Sequence, residues 1–316
     1  MDNSTVPKIS VVIITPDTYE TIRRTVGCLK EQSITKELEL VIVKLSSGDF
    51  GAAPGEFDCF RAVRIVEPAD TASLGHALAE GVRASSADVV AFTEDHVFPD
   101  TLWAEALIKS HKSGRAAVGP VIYSANPGSA VGWADILIGY SQWLHPNKGG
   151  EMSHLPGHNS SYKRAVLLEY GRELDRLLEA ESVLHWDLVS KGHKLFLEPA
   201  AKIRHLNFGV LSAFLEVNLL MGRTFAATRR ESWGYPKRLA FALGSVLIPF
   251  VRFYRIVRSY SGCGELLKTK PHVFPIMAAG LIASSIGEMT GYLTGAGDSV
   301  QKTFKYHFHR DEHVRK

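Results

Sequence analysis

The chain has 316 residues, 45% of them apolar, with 36 Lys+Arg against 33 Asp+Glu, which is long enough for one large or two ordinary globular domains and too apolar for disorder over most of its length. The net charge of +3 conceals a split: residues 1–228 carry 22 basic and 27 acidic side chains, a balance of −5, and residues 229–316 carry 14 and 6, a balance of +8. That distribution excludes a chain basic throughout, the footprint of a dedicated nucleic-acid binder, so no nucleic acid is expected as a partner.

The three cysteines, Cys28, Cys59 and Cys263, are far apart and form no CxxC pair. This argues against a disulfide framework or a structural zinc site and for a reducing, cytosolic compartment. The N-terminus lacks a basic n-region and its first apolar run stops at Pro16-Asp17, so no secretory signal is read.

In chain order, short apolar runs occupy residues 9–15, 38–43, 63–66, 89–93 and 116–122. Each is continuous rather than alternating, which predicts strands buried on both faces of a parallel sheet. Ile22, Val26 and Leu29 between the first two runs, and Leu74, Ala77, Leu78 and Val82 before the fourth, recur at helical spacing. Strand and helix alternating in this way predict a doubly wound, mostly parallel α/β sheet whose ligands sit at the carboxyl ends of the strands. Residues 126–157 read as a loop-rich excursion with a short helix. Helices are expected over 163–170 and 177–190, a strand over 195–197, and a long helix over 211–229.

Beyond it lie thirteen uncharged residues at 239–251, followed by Arg252, Arg255 and Arg258, and a second uncharged run at 273–287. Both are shorter than the roughly 17–25 residues of a spanning helix, and Pro249 and Pro275 interrupt them. Apolar helices flanked by Lys and Arg suit the headgroup boundary of an anionic membrane; a buried helical hairpin packed on the domain is the alternative. The expected division is therefore 1–228 as the α/β domain, 229–300 as a helical, membrane-associated region and 301–316 as a basic tail.

The segment 88–99 carries the chemistry. An apolar strand delivers Glu94, Asp95 and His96 to its carboxyl end, and Pro99 closes the segment. Oxygen and imidazole ligands there suit a divalent ion able to neutralise a diphosphate; a solvated acidic loop is the alternative.

With these residues in place, the chain resembles a family 2 glycosyltransferase of the GT-A fold over residues 8–228. Ile13-Ile-Thr-Pro-Asp17 resembles the end of that family's first strand, Gln32 its helix-closing Gln, and Gly75-His-Ala-Leu-Ala-Glu-Gly81 its Gly-x-Ala-x-Asn-x-Gly. Glu94-Asp95-His96 stands in the place of its DxD motif. The resemblance implies a nucleotide-sugar donor contacted by Thr15, Pro16, Asp17, Lys44, Gly75, Glu94 and Asp95. It implies a divalent cation held by Glu94, Asp95, His96 and His205, Mn²⁺ rather than Mg²⁺ given the imidazoles. Gly157, His158 and Asn159 resemble the family's Gly-x-Asn segment on the sugar and acceptor side.

Glu181 falls where the family has its catalytic base, with Glu179 and Asp187 as nearby competitors, and His185 one turn on is placed to hydrogen-bond it. Lys44 or Leu45 stands where the family usually has a base-reading Asp, and the family's Asn is replaced by Ala79. The Gln-x-x-Arg-Trp signature of processive synthases is missing. The implied function is inverting transfer of a single sugar to a hydroxyl, on a lipid-linked or cell-envelope saccharide, by an enzyme peripheral at the cytoplasmic face of the membrane. The alternatives are a catalytically silent, membrane-associated nucleotide-sugar-binding or assembly protein, and a nucleotidyltransferase.

Overall fold

A computed structural model of the chain describes residues 6–68 and 73–314. The chain divides into two compact units, Met1–Ile122 with Asn147–Arg204, and Tyr123–Pro146 with His205–Lys316.

The first unit is built on strands β1 (Ile9–Thr15), β2 (Leu38–Lys44), β3 (Ala62–Val66), β4 (Val89–Thr93), β5 (Val97–Pro99), β6 (Ala117–Ser124), β7 (Gly150–Met152), β8 (Ser161–Lys163) and β9 (Leu195–His205). Its helices are α1 (Tyr19–Lys30), α2 (Leu74–Ala84) and α3 (Trp103–His111), then, after α4 (Ala130–Tyr140) of the second unit, α5 (Arg164–Leu168), α6 (Glu173–Leu177) and α7 (Glu181–Ser190). The strands join in the order β3-β2-β1-β4-β8-β6-β9-β5, with β7 on β9.

Every residue of β1, β2 and β4 is buried, which explains why these strands read as unbroken apolar runs. The one acidic residue among them, Glu39, is fully buried and satisfied by Ser10 Oγ, by Arg64 Nε at 2.7 Å and by the Ser86 N–H at 2.7 Å. From β1 the chain steps outward to β2 and β3, then returns to β4 on the opposite flank of β1. The carboxyl ends of β1 and β4 therefore mark the switch point at which α/β sheets open a cleft.

The β3-β2-β1-β4 portion is parallel; β4–β8, β6–β8 and β7–β9 are antiparallel. With the expected doubly wound parallel portion at its centre and edge, the sheet is a mixed one. The strands responsible, β7 and β8, have three residues each, too few to show a period. β3 is also not buried on both faces: Ile65 is exposed, as befits an edge strand. The strand expected at 195–197 runs to His205, and the helix expected over 177–190 begins at Glu181.

The second unit contains α4, α8 (Leu211–Arg229), α9 (Tyr235–Gly244), α10 (Ile248–Ser259), α11 (Cys263–Thr269), α12 (Val273–Thr294) and α13 (Ser299–His307). The division falls earlier than the expected boundary at 228, because α8 belongs with the helices that follow it. A Cβ at Gly287 would lie 2.0 Å from the Leu219 carbonyl, and one at Gly222 would lie 2.3 Å from that of Ser284. Only glycines let α8 and α12 touch backbone to backbone. The expected tail at 301–316 is, as far as residue 314, folded: α13 and a turn at Arg310–His313 bring the His313 carbonyl to the N–H groups of Gly209 and Val210 at 2.8 and 3.0 Å, with Arg310 over the Phe208 ring.

Across residues 245–247, α9 continues into α10 as one 25-residue rod, Tyr235–Ser259. This rod and the 22-residue α12 are long and apolar enough to cross a membrane by length and composition, longer than the uncharged runs suggested. Pro249 sits in the first turn of α10, where a missing N–H costs no hydrogen bond, and Pro275 is the third residue of α12. α12 packs against α4, α8, α9 and α10, whereas Leu243, Val246, Leu247, Phe250 and Tyr254 on the rod are 61–72% exposed.

Candidate active site at the carboxyl end of β4

β4 ends at Thr93 and hands the chain to Glu94, Asp95 and His96 before β5 begins. The turn is pinned from beneath by Thr25 of α1, whose Oγ1 lies 3.1, 2.9 and 2.9 Å from the carbonyls of Glu94, Asp95 and Val97. Asp95 and His96 are buried, and Asp95 Oδ1 meets His96 Nδ1 at 2.5 Å. A carboxylate on one ring nitrogen fixes the orientation of the imidazole. The far end of that imidazole, Nε2, lies 3.7 Å from Glu94 Oε1, so the two could serve together as ligands of a divalent ion. The donor set therefore fits a divalent ion, with Glu94 and His96 converging and Asp95 holding His96 from behind. Sequence reasoning misses Thr25, because no Thr in the middle of a helix signals such a role.

Glu94 also receives the turn Gly157–Asn159 that precedes β8. Asn159 Nδ2 donates to Glu94 Oε2 at 2.8 Å, and His158 Nδ1 is 3.7 Å from Glu94 Oε1. The other nitrogen of His158, Nε2, contacts Glu181 Oε1 at the start of α7. One imidazole thus stands between the strand-end carboxylate and the helix-borne one. Gly157 makes this possible, since a Cβ there would fall 2.4 Å from Glu181 Cβ. The Asn159 Oδ1 is buried without a hydrogen-bond partner, an acceptor in reserve beside the carboxylates.

The partner expected for Glu181 is His185, and here the structure differs. His185 is fully buried, accepting from the Leu155 N–H at 3.3 Å through Nδ1 and meeting Tyr162 Oη at 2.7 Å through Nε2. Burial, and secondarily the His154 charge, push its pKa down to about 3, so it is a neutral support beneath the site. Helical spacing places it on the correct helix, but the ring turns into the core. The competitors for Glu181 are engaged elsewhere: Glu179 accepts from the Gly75 N–H at 2.5 Å, and Asp187 from Tyr170 Oη at 2.6 Å and Lys191 at 2.7 Å.

The remaining expected donor residues lie along the same sheet edge, with one exception. Thr15 ends β1, its Oγ1 donating to the Thr18 carbonyl at 2.8 Å, and Asp17 accepts from Thr21 Oγ1 at 2.6 Å, so Thr15-Pro16-Asp17 forms the turn into α1. Lys44 ends β2. Gly75 is instead a packing position, where a Cβ would meet the Asp175 carbonyl at 2.2 Å. His205 belongs to the second unit, where Asn207 Oδ1 meets its Nδ1 at 2.9 Å and Tyr140 Oη its Nε2 at 3.1 Å. Gln32 ties α1 to α3, donating to the Asp100 carbonyl at 2.9 Å and accepting from the Ala104 N–H at 3.0 Å.

Residues 10–171 match the family model described as glycosyl transferase family 2. No curated protein matches the chain. Among solved structures, GalNAc-T7 with UDP, GalNAc and Mn²⁺ superposes with a TM-score of 0.52 at 15% identity over 86% of this chain, which spans 57% of that one. The mannosyltransferase PcManGT from Pyrobaculum calidifontis, in complex with GDP-Man and Mn²⁺, gives 0.50 at 15% identity, covering 90% of this chain and 87% of that one. At such identities the likeness is one of fold.

Proposed function

The chain belongs to glycosyl transferase family 2 and is a glycosyltransferase, and from that premise we propose an inverting, metal-dependent enzyme. It moves one sugar from a nucleotide-sugar to the hydroxyl of a lipid-linked or cell-envelope saccharide. The observation that carries this reading is the line Glu94, His158, Glu181, which sets a helix-borne carboxylate one imidazole away from the strand-end acids. The structures of GalNAc-T7 with UDP, GalNAc and Mn²⁺ and of PcManGT with GDP-Man and Mn²⁺ support the donor class and the cation.

In this reading Glu181 takes the proton of the acceptor hydroxyl as its oxygen attacks the anomeric carbon, and His158 holds that carboxylate in place. The diphosphate leaves on the opposite face, so a single displacement inverts the anomeric centre. Glu94 and His96, with Asp95 fixing the imidazole, would hold Mn²⁺, which would supply charge neutralisation of the diphosphate; His205 is the further ligand that the sequence resemblance implies. Gly157, His158 and Asn159 border the sugar. The exposed apolar stripe of α9–α10, with Lys237, Arg255 and Arg258 beside it, rests on an anionic membrane at its cytoplasmic face.

The test is a thermal-shift screen of UDP-, GDP-, dTDP- and CMP-linked sugars with and without Mn²⁺, followed by turnover of the stabilising donor. Glu181→Gln keeps the metal-dependent shift and loses transfer by about 10²–10⁴-fold. Wild-type turnover by Glu181→Gln or by Asp95→Ala refutes the assignment. Binding by the wild type with neither hydrolysis nor transfer identifies the silent binding protein instead.

A further inference from the structure

The carboxyl ends of β2 and β3 carry an ion pair that the displacement itself does not use. Lys44 closes β2 and Glu67 follows the last residue of β3. The strands pair in parallel with Val43 opposite Val66, so the two residues leave the sheet as neighbours. Lys44 Nζ donates to Glu67 Oε1 at 2.9 Å and to the Gly48 carbonyl; the lysine side chain is 5% exposed and the glutamate 54%. An ammonium has three N–H groups, and these two acceptors leave one uncommitted. Glu67 Oε2 makes no bond among the described residues.

Topology says what lies above this pair. β4 has β8 on one side and β1, then β2, on the other. His158 and Asn159 lead directly into β8, so the sugar facing Glu181 occupies the β8 side. A nucleotide-sugar with its diphosphate at Glu94 must then run its nucleoside across the ends of β1 and β2. Two strand spacings, about 10 Å, separate the ends of β4 and β2, and a nucleoside spans that gap.

We infer that Lys44 and Glu67 read the nucleobase of the donor and that this base is guanine. The inference rests on the proposed nucleotide-sugar chemistry. A lysine beside a carboxylate offers one donor and two acceptor oxygens. Guanine presents the complement: O6 accepts, while N1–H and N2–H donate together to the carboxylate. Uracil and thymine present acceptor, donor, acceptor, which sets one carboxylate oxygen against a carbonyl. Cytosine presents donor, acceptor, acceptor and mismatches at every position. A bidentate pair of this kind discriminates by about 10-fold to 100-fold or more.

Isothermal titration of the full-length protein with GDP, UDP, dTDP and CDP in the presence of Mn²⁺ tests this. GDP is expected to bind at least about 10-fold more tightly than the others. Glu67→Gln, at a half-exposed position that folding tolerates, and Lys44→Met are expected to remove most of that preference while UDP affinity changes less than about 3-fold. If UDP or dTDP binds as tightly as GDP, the inference falls and the glycosyltransferase reading stands. A GDP preference unchanged in Glu67→Gln also overturns it, leaving the pair as a strut for the loop at Gly48. Absence of metal-dependent binding by all four overturns the inference and the donor reading together.

Discussion

Gly157→Ala is the sharpest probe of the proposed active site, because it moves the proposed catalytic base, Glu181, without touching its chemistry. The new methyl would lie 2.4, 2.6 and 2.5 Å from Glu181 Cβ, Cγ and Cδ, where carbon atoms at rest sit about 3.5–4.0 Å apart. Something must give by about 1 Å, and the atoms in the way are those of Glu181 itself. Misplacement on that scale costs about 10²-fold in rate, and the overpacking costs about 1–3 kcal/mol of stability. Glu94, Asp95 and His96 are undisturbed, so metal-dependent nucleotide binding should persist. Steady-state transfer with the donor found by thermal shift should therefore show a large fall in kcat with little change in donor KM. Gly139→Ala is the matched control: its Cβ meets nothing within 4 Å, and the change should leave kcat intact. A Gly157→Ala enzyme within about 2-fold of wild-type kcat would refute the placement of Glu181 at the reacting centre.

His158→Ala should lower kcat by about 10-fold through loss of base positioning, with partial recovery in His158→Gln, whose amide can still donate to Glu181; equal rates in all three proteins would remove His158 from the mechanism. Acid should destabilise the first unit in a defined window. His111 and His185 have folded pKa values pushed down to about 4 and about 3, chiefly by burial, against about 6.5 unfolded. Their contribution is complete above pH 6.5 and is lost as pH falls towards those folded values, because the unfolded chain takes up two protons that the native chain refuses. The limiting slope is about 2.7 kcal/mol per pH unit; urea midpoints measured from pH 7.5 to 5.0 should fall accordingly, with about half the slope in His185→Gln. Flotation with anionic vesicles should capture the wild type and lose Leu243→Glu/Phe250→Glu, and a double variant that floats as well as wild type removes the rod from the interface.

What the sequence displays is whatever depends on a residue's own burial. β1, β2 and β4 are visible because both faces are covered, and α1 and α2 because one stripe is. β7 and β8 are not, since three residues carry no period and their pairing is decided by strands far away in the chain. The active site divides along the same line. Glu94, Asp95 and His96 follow one another at a strand end, so order alone displays them, and Glu181 stands at the head of a helix. The link between them is hidden: His158 reaches Glu181 across 23 residues, and Thr25 reaches the β4 turn across about 70. Helical spacing favours His185 as the partner, but spacing fixes a face of a helix and not which neighbour fills it.

The charge asymmetry has an origin inside the fold that is separate from the proposed membrane contact. Several arginines of the second unit's helices are spent inside it. Arg223 donates to the Gly295 carbonyl at 2.9 Å, and Arg230 to those of Tyr292 and Leu293 at 2.9 and 3.0 Å. These are the carbonyls at the end of α12, which lack N–H donors within the helix and carry its negative pole. Arg252 likewise donates to the Ile138 carbonyl at 3.2 Å and to Ser284 Oγ at 3.1 Å. A helix bundle with backbones in contact needs such donors whether or not lipid is near. The exposed Lys237, Arg255 and Arg258 lie along the rod whose apolar stripe is uncovered. In the proposed membrane contact, at about 1 kcal/mol for each basic group near an anionic surface, these three would supply a salt-sensitive attraction of about 3 kcal/mol to add to apolar insertion. The balance of +8 over residues 229–316 therefore overstates the electrostatic pull on a membrane, because Arg230 and Arg252, two of the groups counted in it, are engaged inside the fold, whereas Arg223 is counted outside it.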